Sequence, residues 1–203
     1  MPELPFKTVT VGLLEVNCCL VQLPDSRTLY IIDPGGDHKL IEAEAKKFHY
    51  DEAVILFTHA HVDHIAAAGA VANTLHVRRV YLNPDDKSIY YSPYNTVGNY
   101  IQAAENLPDT TWPPEEPRMK VLACPGHSPG SVSYYFPEFD TVFSGDTLFY
   151  ESVGRTDLPG GSEDELADSV HDKLFTLPDE TRVIPGHGPF TSIGFEKKNN
   201  PYV

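Results

Sequence analysis

At 203 residues, with 41% hydrophobic and 22% charged side chains, the chain has the size and composition of a globular protein that can build its own core. A formal net charge of −14 and a pI near 4.9 argue against a nucleic-acid partner, which needs Lys and Arg against phosphate, and against an anionic membrane surface. Three cysteines, with Cys18 and Cys19 adjacent, make a poor disulfide framework and fit a reducing, cytoplasmic address; with no basic n-region and an apolar run over 9–23 interrupted by Glu15 and Asn17, neither a signal peptide nor a membrane span is expected.

In chain order, apolar and β-branched runs over 6–12, 17–23 and 28–33 predict three antiparallel strands separated by short turns. Asp33-Pro34-Gly35-Gly36 breaks the sheet, and Leu40, Ile41, Ala45 and Phe48 sit at helical spacing over 37–48. The unbroken apolar run over 53–57 reads as a strand buried on both faces. It leads into His59, His61, Asp63 and His64, an H-x-H-x-D-H stretch that opens an Ala-rich helix over 63–73. Imidazole nitrogen and carboxylate oxygen are the usual donors for zinc and other borderline divalent metals, and ligands at the C-terminal end of a buried strand suit an open α/β sheet.

A strand over 77–82 and a short helix over 84–90 with Pro84 at its start follow. From 91 to 117 the chain is rich in Pro, Asn, Tyr and Thr, with a short helix possible over 97–105. Tyr90, Tyr91, Tyr94 and Tyr100 either line a substrate mouth or pack over the sheet. Strands over 120–123, 131–136, 141–144 and 181–184 and a helix over 164–175 complete the reading as a single domain, 1–203. Three of these strands end in Gly- or Pro-stiffened turns that carry His127, Asp146 and His187. Singly each is more often a turn residue than a ligand; it is their shared placement after apolar strands that points to a metal site. His38, His49, His76 and His171 lie in polar or helical contexts and read as solvent-exposed.

The ordered set of H-x-H-x-D-H, P-G-H-S-P-G around His127, Ser-Gly-Asp at Asp146 and Pro-Gly-His at His187 resembles the metallo-β-lactamase-fold hydrolases. Within them it is most similar to the short, single-domain glyoxalase-II-like branch, through Asp33-Pro34-Gly35-Gly36, Gly145-Asp146-Thr147-Leu148-Phe149, Gly154-Arg155-Thr156-Asp157 and the ending from Ile193 to Tyr202. The resemblance covers essentially the whole chain. It implies an α/β fold of the four-layer αββα sandwich type and two divalent metal ions, zinc first, with iron or manganese as alternatives. His59, His61 and His127 would hold one ion, Asp63, His64 and His187 the other, and Asp146 would bridge them, with Asp63 and Asp146 as the catalytic carboxylates.

The implied activity is hydrolysis of a small acyl thioester such as S-lactoylglutathione by a water activated between the metals. No Ser or Cys nucleophile is needed, so Ser128 and Cys124 carry no catalytic role. Asp33 either orients a ligand or closes an Asx turn before Pro34. Full-length glyoxalase II carries a further C-terminal helical region that helps hold glutathione, whereas sixteen residues follow His187 here. Arg155 could face an anionic substrate, while Lys197 and Lys198 read as surface charges. The alternatives are a persulfide dioxygenase with one iron held by His61 or His59, His127 and Asp146; another hydrolase of the fold, such as a lactonase or phosphodiesterase; and a non-catalytic metal module, against which the room left for water counts. The expected partner is a small-molecule thioester, with no nucleic acid and no membrane; oligomeric state is left open.

Overall fold

Strands β1 (Phe6–Val11), β2 (Val16–Val21) and β3 (Thr28–Ile32) form where the β-branched runs predict, and they pair antiparallel. β3 then pairs parallel with β4 (Glu52–Leu56), and β4 with β5 (Val77–Tyr81), giving one sheet in the order β1-β2-β3-β4-β5. The connections carry α1 (His38–Ala45), α2 (Val62–Ile65) and α3 (Ala68–Thr74), as parallel pairing requires a crossover. The computed structural model describes residues 3–203, and this sheet belongs to the first of two units, Leu4–Pro114. Its core is continuous from Val9 through Leu29, Ile31, Ile55 and Phe57 to Val71 and Leu82, all but fully buried.

The Ala-rich stretch over 63–73 is interrupted between α2 and α3, where one helix is expected. Intrinsic propensity loses to a tertiary contact: the Ala67 N–H donates to the Pro34 carbonyl at 3.0 Å, tying the helix junction to the 33–37 turn. The short helix over 84–90 forms as a 3₁₀ turn (Pro84–Asp86) followed by α4 (Lys87–Tyr90). No helix forms over 97–105. Val97 and Ile101 pair as an isolated bridge around Gly98, whose φ of 52° lies outside helical space.

The second unit, Glu115–Val203 joined by Glu3, repeats the grammar of antiparallel followed by parallel pairing. β6 (Lys120–Ala123), β7 (Val132–Phe136) and β8 (Thr141–Gly145) are successive antiparallel neighbours; β11 (Arg182–Pro185) lies parallel to β8 and antiparallel to β12 (Thr191–Ser192). Between β8 and β11 the chain makes a two-stranded hairpin of β9 (Leu148–Phe149) and β10 (Ser152–Val153), too short for a periodicity to reveal. The predicted helix over 164–175 begins as α5 (Glu163–Ser169). Ser162 accepts from the Glu165 N–H at its cap, and three acidic residues fill the first turn. It continues as a π-helical turn (Val170–Leu174) that keeps Leu166, Val170 and Leu174 buried. α6 (Ile193–Asn199), capped by Ser192, was not anticipated. Helices thus accompany both sheets in a mixed α/β fold. Among the described residues no helix is long and apolar enough to cross a membrane.

Gly35 fixes how the 33–37 turn meets the ligand stretch, because a Cβ there would lie 1.6 Å from the Asp63 carbonyl oxygen. Gly35→Ala therefore requires backbone displacement, and a loss of about 2 kcal/mol or more is expected. Urea unfolding of metal-free protein measures it; an unchanged midpoint would contradict this packing.

Candidate metal centre

In the first unit, parallel pairing of β3 and β4 sets Ile32 beside Leu56, so the residues that follow, Asp33 and Thr58-His59, leave the same sheet edge. Asp33 is buried and left-handed, with φ 51°, a conformation tolerated here because its carboxylate is held on every side. One oxygen accepts from the Thr58 N–H at 2.8 Å; the other accepts from the Thr58 hydroxyl at 2.6 Å and from His64 Nδ1 at 3.0 Å. These bonds assign the tautomers. A carboxylate only accepts, so His64 carries its proton on Nδ1. The Thr58 hydroxyl points its hydrogen at Asp33, so at 3.1 Å it accepts from His59 Nδ1. Both rings are buried, 4.1 Å apart, with Nε2 left as the atom bearing the lone pair.

His61 stands 4.9 Å from the His59 ring, edge to face, and the Asp63 carboxylate lies 3.7 Å from His64 Nε2. Asp33, His59 and His64 offer donor atoms within 4.8 Å of one another. Asp33 nonetheless faces the Nδ1 side of His64 and the Thr58 hydroxyl. That makes it the residue that orients these ligands, and the Asx-turn alternative does not describe its bonds.

In the second unit, β8 and β11 run parallel and the Gly186 N–H bonds the Gly145 carbonyl at 2.8 Å, so Asp146 and His187 emerge side by side. β6 runs in the same direction as β8, with β7 between them, and delivers His127 to that edge. The Arg155 carbonyl accepts from His127 Nδ1 at 2.7 Å, which again leaves Nε2 for a ligand. One Asp146 oxygen lies 3.6 Å from His127 Nε2 and 3.5 Å from His187 Nε2, so the carboxylate stands between the two imidazoles. Gly154 permits this approach, since a Cβ there would fall 1.8 Å from the Asp146 carbonyl oxygen.

Every predicted ligand thus joins one of two arrays: His59, His61, Asp63 and His64 in the first unit, and His127, Asp146 and His187 in the second. Nitrogen and oxygen donors of this kind, with histidine tautomers fixed by carboxylate and carbonyl acceptors, fit borderline divalent metals. Sequence reasoning missed Thr58, the Arg155 carbonyl, Asp86 and Asn95, which act through hydrogen bonds that no local spacing announces. His49, His76 and His171 are exposed as expected, and His38 is half-buried. The tyrosine segment divides: Tyr90 packs against Phe57 and is buried, while Tyr91, Tyr94 and Tyr100 are exposed, so packing over the sheet accounts for one of the four. The Arg155 guanidinium makes a two-pronged pair with exposed Asp157, whose carboxyl it holds down at about 2, and Lys197 pairs with Asp179.

Protein nucleophiles are put out of play. Ser128 is buried and its hydroxyl bonds that of Ser131 at 2.8 Å. Burial pushes the Cys124 thiol up to about 11 and Cys19 to about 12, with Cys18 also raised well above its ordinary value.

The family described as the metallo-β-lactamase superfamily matches residues 11–187, a span containing all seven candidate ligand positions. Similar proteins include "Probable metallo-hydrolase YqgX" of Bacillus subtilis, 35% identical over 98% of this chain and 97% of its own length. Another is "Hydroxyacylglutathione hydrolase GloC" of Haemophilus influenzae, 32% identical over 96% of each. Among solved structures, TTHA1623 in a di-iron-bound form superposes with a TM-score of 0.87 at 39% identity, covering 97% of this chain and 100% of that one. The B3 metallo-β-lactamase BLEG-1 does so with a TM-score of 0.87 at 36% identity, covering 98% and 99%.

Two outcomes are expected. Asp33→Ala, which frees the His64 ring and the Thr58 hydroxyl, weakens zinc binding about 10–100-fold, read by competition with a chromogenic chelator. At pH 8 the folded protein leaves a disulfide reagent uncoloured, because all three thiols stay protonated and buried; denaturation then releases three equivalents.

Proposed function

The chain belongs to the metallo-β-lactamase superfamily of metallo-hydrolases, and on that premise we propose that it is a glyoxalase-II-like thioesterase acting on a small acyl thioester such as S-lactoylglutathione. The observation that carries the substrate class is full-length similarity to a hydroxyacylglutathione hydrolase. His59, His61 and His127 would hold one divalent ion and Asp63, His64 and His187 a second, with Asp146 shared between them. Bound there, the ions would supply Lewis acidity toward the substrate carbonyl and lower the pKa of water toward neutrality.

The chain's own groups have separate tasks. Asp33 and the Arg155 carbonyl keep His64, His59 and His127 protonated on Nδ1, so that Nε2 faces the reaction and no ring must reorganise during it. The carboxylates of Asp63 and Asp146 offset cationic charge. A thiolate leaves without a strong general acid near pH 7. Arg155 is neutralised by Asp157, so anchoring of an anionic thiol by this residue would require exchange of that pair.

A second reading changes the metal and the reaction. Similarity to a protein crystallised with two irons supports iron loading, and an iron-bound chain could oxidise a persulfide with oxygen.

The test is turnover of S-D-lactoylglutathione by purified protein with metals counted in the same sample. Chelator-sensitive hydrolysis and about two metals per chain are expected, with kcat/KM falling at least about 100-fold in Asp146→Ala. Full thioester turnover in Asp146→Ala would remove the shared-carboxylate mechanism. Oxygen uptake with a persulfide, or faster turnover of a β-lactam than of any thioester, would reassign the substrate.

A further inference from the structure

His61 occupies the N-cap position of α2, where Ser, Thr, Asp or Asn would ordinarily accept from the first free N–H groups of the helix. Its own side chain makes no such bond. The job is done from a distance. Asn95, 33 residues further along, accepts from the Val62 N–H through Oδ1 at 3.0 Å and donates through Nδ2 to the Ala60 carbonyl at 2.8 Å. These two groups belong to the peptide planes on either side of His61. A single planar amide that bonds both therefore restrains φ and ψ of His61, which stand at −63° and 146°, and with them the direction of its Cβ. A third bond completes the clamp: buried Asp86 accepts from the Ala60 N–H at 2.9 Å.

We propose that Asn95 is a positioning residue for His61, a remote cap that releases the His61 side chain for metal binding. Where a local capping residue would consume the side chain at this position, the clamp gives the first helical N–H an acceptor while an imidazole stands there. It also explains the placement of the 91–100 segment, whose outer residues Tyr94 and Tyr100 are exposed: the segment is registered on the ligand stretch through one amide. The inference rests on the reading of His61 as a metal ligand.

Cobalt(II) titration of metal-free wild type, Asn95→Ala and Asn95→Asp, followed by visible absorption and chelator competition, tests it alongside the thermal midpoint of each metal-free protein. Asn95→Asp keeps shape and the bond to Val62 but sets an oxygen against the Ala60 carbonyl, so it remains folded while losing the clamp. Cobalt held about 10–100-fold more weakly at one of two sites in both variants, with an altered absorption band and a near-unchanged midpoint for Asn95→Asp, is the expected result. Lowered midpoints with wild-type cobalt affinity and spectrum would make Asn95 purely structural and overturn the proposal, leaving the metal reading intact. Failure of wild type itself to bind cobalt would instead overturn the metal reading, and the positioning role with it.

Discussion

An imidazole binds a metal through one nitrogen only when the proton has been placed on the other, and in this protein that placement depends first on the Asp33 carboxylate. It holds His64 directly and His59 through the Thr58 hydroxyl, so one buried charge assigns two tautomers. A buried carboxylate is costly unless its lone pairs are filled, and here the Thr58 N–H, the Thr58 hydroxyl and His64 fill them. The left-handed backbone of Asp33 is the local strain that this network holds in place. The carbonyl of Arg155 does the equivalent work for His127 without introducing a charge.

Sheet direction supplies the rest. Within each unit the strands that carry these residues are parallel neighbours, or are related through a shared antiparallel neighbour, so their C-terminal ends open on one edge of their own sheet. Antiparallel neighbours would have sent Asp33 and Thr58, or Asp146 and His187, to opposite edges. Glycines then allow backbone to touch backbone where ligands must approach, at Gly35 against Asp63 and at Gly154 against Asp146. Burial puts the protein's own thiols out of reach, since the cysteines lie within a strand or at a buried strand end and their thiols stay protonated.

The candidate donor residues, the strands that carry them and the fold family were legible in the amino-acid order alone. Metal ligands are chemically restricted to a few residue types, and stiff Gly- and Pro-flanked turns after apolar runs are local patterns. What failed were decisions that belong to contacts far apart in sequence. The Ala-rich run splits because Ala67 finds Pro34, the 97–105 helix yields to a bridge around Gly98, and the tyrosines separate into one buried ring and three exposed ones.

By itself the sequence determined the donor set, because imidazoles and carboxylates must be encoded residue by residue, and it determined the sheet-building runs, because apolar periodicity is local. Only the tertiary structure decided which nitrogen of His59, His64 and His127 is available, that Asp33 orients rather than turns, and that Asn95 caps the helix His61 begins. Those outcomes rest on hydrogen bonds between residues 25 to 33 positions apart, whose partners become defined only once the sheet edges are assembled.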